Sequence, residues 1–360
     1  MNKLKKFKRD ILRNDGDHDL DHDSITITKY KSFPKSKYGK LLKVIGSGTT
    51  STVKLYELKN SNSNTENNNN NSTLFAIKEY HLKDSIETDE DYKFRILNEI
   101  KIHKSISSKN NENIIKFIDF FNINKPLSNK KNHYNYVLEY IPNSLDFIIN
   151  LKSTTLLQKL CFFKQILNGV LFLQLNNINH RDLKLENCVV DLNGIVKLID
   201  FGSSNFNNSK SFGLIGSKIL AAPEIFKNLS YNSKISDIWS IGCILNKILF
   251  NKYAIWRIAD PLQDSNFENY INNNNKSLNC IVPNLDIWCK DKQVIENIGD
   301  LKAVEDKVGG ILLQMLEYDV NKRITMDEIM NNEWIQQINC CKTDNLIKQH
   351  QHQHSHHHSA

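Results

Sequence analysis

The chain reads as β between Lys40 and Tyr80. Leu41, Leu42, Val44 and Ile45 lead into a glycine-bearing turn, and Val53, Leu55 and Tyr56 alternate with polar residues beyond it. A second β stretch, Leu74 to Tyr80, follows a tract of Asn and Ser from Asn60 to Thr73, which reads as an expanded loop inside a hairpin. The period then changes to that of a helix: Phe94, Ile96, Leu97, Ile100 and Ile102 recur between Glu87 and Ile106. A further β patch runs from Tyr134 to Tyr140, and from Thr154 helices dominate. Leu156, Leu160, Phe163, Ile166, Leu167, Val170, Leu171 and Leu173 form a broad apolar face, and Ile238 to Leu249 is apolar almost all round, as a helix central to its unit is. The opening segment is charged and carries Asp-His repeats from Asp17 to Asp23; the end is rich in Gln, His and Ser. The pattern predicts an α+β protein: a small β-rich lobe over 38–139 with its Asn-rich insertion at 60–73, a larger helical lobe over 140–338, and disordered tails at 1–37 and 339–360.

Composition narrows the class. The 360 residues exceed what one compact core ordinarily organises, and 40% hydrophobic with 24% charged residues is ordinary for a globular chain, not for a fibre or a disordered protein. The net charge of +7 is concentrated in part in Met1–Arg9 and is no nucleic-acid signature, so no nucleic-acid partner is expected. The longest membrane-like stretch, Ile238 to Phe250, suits a core helix, and no integral membrane segment is expected. Seven cysteines match no disulfide or zinc framework apart from the adjacent Cys340 and Cys341, which predicts reduced thiols and a cytoplasmic location.

Five short segments carry chemistry. Ile45-Gly46-Ser47-Gly48 opens a turn in which the missing Cβ atoms let a backbone approach phosphates closely. By itself such a turn is common in proteins that bind nothing. Lys78, in Ala76-Ile77-Lys78, sits among apolar residues on a strand and needs a carboxylate or a phosphate. Glu99 lies on the helix face of Ile96 and Ile100, from which it can turn toward that lysine. His180-Arg181-Asp182-Leu183-Lys184-Leu185-Glu186-Asn187 and Asp200-Phe201-Gly202 complete the set, with Ala222-Pro223-Glu224 downstream.

With these segments in this order, the chain resembles a eukaryotic-type protein kinase from about Tyr38 to Ile338. The resemblance implies the bilobal kinase fold, ATP and Mg²⁺ as cofactors, and proteins bearing Ser or Thr as substrates. It implies that Lys78 holds the α- and β-phosphates and Glu99 holds Lys78, and that Asp200 and Asn187 ligate Mg²⁺. Asp182 would take the proton of the incoming hydroxyl, and Lys184 would steady the transferring phosphate, as in the serine/threonine class. Adenine would lie between the lobes, under Ile45, Val53 and Ala76 and over Val189, beside Leu138 in the gatekeeper-like position and the backbone of Glu139 and Ile141. Glu224 would pair with Arg323 as a structural support.

Shorter stretches resemble the fungal halotolerance and nitrogen-permease-reactivator kinases, which regulate plasma-membrane nutrient and ion transporters. These are Lys37-Tyr38-Gly39-Lys40, the run from His180 to Val190, Leu198-Ile199-Asp200-Phe201-Gly202, Gly213-Leu214-Ile215-Gly216-Ser217, and Trp256 with Ala259, Asp260 and Asp264 to Phe267. Three positions depart from the kinase pattern. Ser51 replaces the third loop glycine, Leu220 stands where a docking-loop tyrosine is common, and His103 stands one turn after Glu99 where an apolar residue is usual. His103 is expected to loosen the helix that carries Glu99. The competing reading, kept open by these departures, is a pseudokinase scaffold; Lys78, Asp182 and Asp200 are all present. Between Asp200 and Glu224 the candidate phosphorylation sites are serines alone, with Ser209 and Ser211 expected to be reachable mid-loop and Ser217 to shape the docking loop. No upstream activator is legible. Lys247 falls where arginine-directed kinases carry an acid, so arginine two residues upstream of the target is not expected to be required, although Glu186 and Asp146 lie on the same side.

Overall fold

The computed structural model describes residues 27–59, 72–85, 87–124, 132–206, 210–273, 277–282 and 284–340. The Asp-His run, most of the Asn-rich insertion, Ser209, Cys341 and the Gln/His-rich end lie outside the described residues. Among the described residues the chain divides into two compact units, a β unit (from Ile27 to Asn110, with 115–141) and a helical unit that takes residues 111–114 and resumes at Pro142.

In the β unit six strands pair: β1 (Thr28–Tyr30), β2 (Lys40–Ser47), β3 (Ser51–Lys59), β4 (Ser72–Tyr80), β5 (Phe117–Asn124) and β6 (Asn132–Glu139). They stand in the order β1-β5-β6-β4-β3-β2, antiparallel except where β1 runs parallel to β5. Alternation along the strands sorts the aromatics onto two faces. Tyr80, Phe120, Tyr134 and Tyr136 face helix α2 (Asp89–Ser107), which buries Ile96, Leu97 and Ile100 against them. Phe75, Ile77, Phe121 and Val137 point the other way and are covered by Tyr38. Thr88 caps α2, accepting from the Asp91 N–H at 3.1 Å, and three acids occupy its first turn.

The covering of that second face corrects the expected boundary. The tail placed at 1–37 contains β1 and all but the last residue of helix α1 (Lys35–Tyr38). Tyr38 stacks on Phe121 with centroids 5.4 Å apart, and Phe33 stacks on Tyr56 at 4.4 Å. The charged side chains of the 1–37 segment mask Phe33 and Tyr30, whose ring meets Phe121 edge-on with centroids 5.3 Å apart. The unit boundary likewise lies after Ile141, not after Glu139, and residues 111–114 cross to the helical unit. Asn113 is the reason for that crossing. Its Nδ2 donates to the Val196 carbonyl (2.9 Å), and its own carbonyl accepts from the Leu198 N–H (2.9 Å).

The helical unit is built around α4 (Leu156–Leu175), which follows the short α3 (Leu145–Ile149), and α6 (Ser233–Phe250), which follows α5 (Pro223–Lys227). Thr155 and Gln158 close a capping box at the start of α4. Among the described residues α4 is the helix long and apolar enough to cross a bilayer, in place of the 238–250 stretch; Phe163, Ile166, Leu167 and Leu173 on it are fully buried inside the unit. Helix α6 begins five residues before its apolar run, because Asn232 caps it (accepting from Lys234 N at 3.0 Å) and its first turns bury Ser233, Ser236 and Asp237. Short strands complete the unit: β7 (Asn143–Ser144), β8 (Ile178–Asn179), β9 (Cys188–Val190), β10 (Val196–Leu198) and β11 (Asn205–Phe206). Glu224 on α5 and Arg323 form the expected pair, bidentate at 2.7 and 2.9 Å and fully buried, with the guanidinium 5.1 Å from the Trp239 ring.

Candidate active site

In the β unit the β2–β3 hairpin narrows to Gly46 opposite Val53 and Ser47 opposite Thr52, and the Gly48 N–H donates to the Ser51 carbonyl at 2.9 Å. A Cβ built on Gly46 would meet only Val53 at 3.7 Å, and one on Gly48 only a carbonyl at 3.9 Å. Both are ordinary contacts, so the fold itself does not demand glycine at either place. Ser51 is buried at the start of β3, so the third-glycine departure adds no side chain to the exposed tip of the turn. The tip is held by a residue that sequence reasoning missed. The His81 ring nitrogens bond the Thr49 carbonyl (3.0 Å) and the Thr52 hydroxyl (2.8 Å), and its N–H donates to the Thr50 carbonyl (2.8 Å). A carbonyl only accepts, so Nδ1–H is the donor in the bond to Thr49.

On the neighbouring strands Ala76 is buried, Val53 and Leu138 are half-buried, and Ile45 is 38% exposed. Glu139 is engaged with Lys116: its N–H donates to the Lys116 carbonyl (3.2 Å) and its carboxylate accepts from the Lys116 N–H (2.7 Å). Ile141 ends the unit, half-buried. Lys78 and Glu99 meet as expected. Lys78 Nζ donates to Glu99 Oε1 at 2.7 Å, Tyr80 donates to Oε2 at 2.8 Å, and the ammonium lies 5.5 Å from the Tyr80 ring centroid. Tyr80 is the partner that sequence reasoning left out; its place at i+2 from Lys78 on β4 puts both side chains on one face.

His103 does not loosen α2. It is fully buried, its Nε2–H donates to the Ile115 carbonyl (2.5 Å), and Nδ1 bonds the Tyr136 hydroxyl. Burial lowers its pKa to about 4, against the pull of the Ile115 carbonyl, so the ring is neutral and both nitrogens are satisfied. The polar residue ties the helix to β6 where an apolar one would only pack against it.

In the helical unit the segment after β8 brings Asp182, Lys184 and Asn187 together. Lys184 Nζ donates to Asp182 Oδ2 at 2.8 Å, and Asn187 Nδ2 donates to the same oxygen at 3.0 Å and to the Asp182 carbonyl at 2.8 Å. Ser217, expected only to shape a loop, donates to Asp182 Oδ1 through both its N–H and its hydroxyl, each at 2.9 Å, and its hydroxyl accepts from Lys184 at 3.1 Å. Gly216 makes this approach possible. Its φ is +81°, and a Cβ there would lie 2.3 Å from the Arg181 carbonyl oxygen.

The backbone under the carboxylates is strained. Arg181 has φ +66° and Asp200 has φ +63°, left-handed conformations that L side chains rarely adopt. Asp237 on α6 accounts for the first: its carboxylate accepts from the N–H groups of His180 (2.8 Å) and Arg181 (2.9 Å). Burial pushes its carboxyl up to about 7 against those two donors. Asp200 is held by Oδ1, which accepts from the Gly202 N–H at 3.3 Å, while Phe201 is buried against His180 with ring centroids 5.5 Å apart. His180 Nε2–H donates to the Ile199 carbonyl at 3.1 Å, and the Ile199 N–H donates to the Asn187 carbonyl at 3.0 Å. Asp200 and Asn187 are thereby fixed to one frame. Val189 on β9 is half-buried. Leu220 is buried and its carbonyl accepts from Ser240 at 3.0 Å, so it serves as a core contact.

Ser211 corrects a further expectation. It is fully buried, its backbone pairs with Tyr231, and its hydroxyl bonds Asn205 Nδ2 (3.0 Å) and the Ser233 hydroxyl. It is an anchor of the segment and not a reachable acceptor. Ser209 lies outside the described residues.

A β unit with a lysine–glutamate pair and a helical unit with this carboxylate frame define a protein kinase domain, and the family model for that domain matches residues 40–335. The chain belongs to the protein kinase family. Among curated proteins it is similar to the serine/threonine-protein kinase HAL4/SAT4 of Saccharomyces cerevisiae, 28% identical over 95% of this chain and 53% of that protein. It is also similar to the nitrogen permease reactivator protein of the same yeast (28%, 82% and 39%) and to the mitochondrial serine/threonine-protein kinase ppk24 of Schizosaccharomyces pombe (30%, 83% and 65%). The chain spans about half the length of most of the curated relatives it matches.

Proposed function

We propose that the chain is an ATP-dependent protein serine/threonine kinase. The observation that carries the reading is the set of contacts on Asp182. Its Oδ1 is fixed by Ser217 and its Oδ2 receives Lys184 and Asn187, which is how a base is aimed at a hydroxyl beside a cation for the transferring phosphoryl group. In this reading Asp182 accepts the hydroxyl proton, and Lys184 neutralises charge on the phosphoryl oxygens. Lys78, oriented by Glu99, binds the α- and β-phosphates. The carboxylate of Asp200 and the amide oxygen of Asn187 are hard oxygen donors that fit Mg²⁺, which when bound neutralises phosphate charge. Glycine at 46 and 48, which the fold does not demand, is supported as room for the ATP phosphates. Ile45, Val53, Ala76, Leu138 and Val189, with the backbone of Glu139 and Ile141, would receive adenine. The intact Lys78–Glu99 pair favours transfer over the pseudokinase reading.

Two finer readings belong with it. Similarity to the halotolerance and nitrogen-permease-reactivator kinases supports a role in ion or nutrient transport, acting on proteins of that system. The cytoplasm is its expected place on the cysteine spacing alone, which imaging of a tagged chain tests. For the activity, transfer of labelled γ-phosphate from ATP to a mixed Ser/Thr peptide pool is expected from the purified chain. It is expected to fall by orders of magnitude in Asp200→Ala and Asp182→Ala. Undiminished transfer in Asp182→Ala would remove the role given to that carboxylate.

A further inference from the structure

Helix α6 ends in a cavity of about 320 Å³ walled by the end of α3, the start of α4 and the segment from Trp288 to Val294. Three lysines line it, Lys152, Lys159 and Lys247, against a single carboxylate, Asp291. That carboxylate is engaged as a helix cap, accepting from the Gln293 N–H at 2.8 Å. Lys247 Nζ donates to the Asn251 side-chain oxygen at 2.9 Å, a neutral partner. Lys159 is half-buried, and among the described residues neither its ammonium nor that of Lys152 has a hydrogen bond or an ion pair. Burial lowers the pKa of Lys159; Asp291 opposes the shift and the Lys247 ammonium adds to it. An ammonium taken from water with no partner and a like charge facing it is unfavourable unless an anion completes the site.

We infer that this cavity binds the phosphate of a phosphoserine in a peptide segment, held by Lys152, Lys159 and Lys247. A phosphate monoester brings about −1.5 to −2 charges and three acceptor oxygens, which matches three ammonium donors better than a single carboxylate does. The volume is roughly ten times that of a water molecule, so it has room for the residue that carries the phosphate. Leu151, Ile248, Leu249 and Trp288 supply apolar walls for the flanking chain. The Lys247 ammonium also lies 5.8 Å from the Tyr253 ring, and the Tyr253 hydroxyl donates to Glu186 at 2.9 Å, so the cavity borders the side expected to meet residues upstream of a target. The choice of phosphoserine rests on the kinase reading, because that reaction produces this group. The binding itself rests on the cavity charge.

The test uses the full chain carrying Asp200→Ala, so that binding is read without phosphoryl transfer, while transfer by the unaltered chain is assayed separately. A fluorescein-labelled phosphoserine peptide and its unphosphorylated twin are titrated by anisotropy, with inorganic phosphate as competitor. The phosphopeptide is expected to bind at least tenfold tighter than its twin and to weaken with added salt. Lys159→Met is expected to weaken it at least tenfold, Lys159→Arg to retain it, and the melting temperature of Lys159→Met to match or exceed that of its parent. If Lys159→Met does not fold, the exposed Lys152→Met serves, with several-fold loss expected. Equal binding of the two peptides, or binding indifferent to these lysines, would overturn the proposal. So would displacement by inorganic phosphate at the peptide's own affinity, which would assign the cavity to the free ion.

Discussion

Ser217 holds the Asp182 carboxylate from both its backbone and its side chain: the N–H and the hydroxyl each donate to Oδ1 at 2.9 Å. The Ser217 hydroxyl also accepts from Lys184, so one residue spaces the proposed base from the proposed phosphate-steadying cation. Ser217→Ala keeps the backbone donor and loses the bridge. A charge-assisted hydrogen bond of about 1.5–3 kcal/mol corresponds to a fall in kcat of about tenfold to a hundredfold. KM for ATP is expected to move little, because Ser217 touches neither Lys78 nor Asp200. Steady-state kinetics on a peptide substrate check this, and an unchanged kcat would leave Ser217 as a loop-shaping residue alone.

The Glu224–Arg323 pair should carry stability and not chemistry. Both partners are buried, and Arg323 also donates to the Glu317 carbonyl at 2.8 Å. Arg323→Ala strands the Glu224 carboxylate in the interior, and the expected loss is about 3–5 kcal/mol, read as a lower denaturant midpoint. Arg323→Lys cannot restore the fork and should recover only part of it.

His103 predicts a pH dependence with a defined sign. Its folded pKa, about 4, lies below the ordinary value of 6.5 expected when unfolded, so between these values the unfolded chain binds more protons. The stability linked to neutral His103 is therefore complete above about pH 6.5 and is lost as pH falls toward 4, by roughly 3 kcal/mol in all. Asp237, raised to about 7, contributes with the opposite sign over much of the same window. The comparison must therefore be between wild type and His103→Leu at each pH, in which the Asp237 contribution cancels. Urea unfolding at pH 7.5 and pH 5 is expected to show wild type losing stability relative to the variant, and parallel behaviour would refute the assignment.

His81 should act on nucleotide binding. It fastens the tip of the β2–β3 turn through Thr49 and Thr52, and removing those bonds frees the tip. Two hydrogen bonds of about 0.5–1.5 kcal/mol each make a several-fold rise in KM for ATP the expected result of His81→Ala. Melting temperature should hold, since His81 follows the last residue of β4 and is only half-buried.

The sequence by itself determined the class of the molecule and most of its chemical groups. Lys78, Glu99, Asp182, Asn187 and Asp200 were legible because they stand in short segments that match the protein-kinase motif set in its order, and β3, β4, α2 and α4 because their apolar periods are strong. Tertiary structure alone decided which groups serve those residues. Tyr80 reaches Glu99, His81 pins the turn and Ser217 grips Asp182 through contacts that depend on strand faces and on a left-handed glycine at 216, none of which leaves a spacing signal. It also placed Tyr38 and Phe33 under the sheet, where lysine-rich neighbours had hidden them, and sank Ser211 into a hydroxyl network. Periodicity reports which face of an element is apolar. Burial of a serine, a histidine or a lone lysine depends on what the rest of the chain folds over it, which no local window contains.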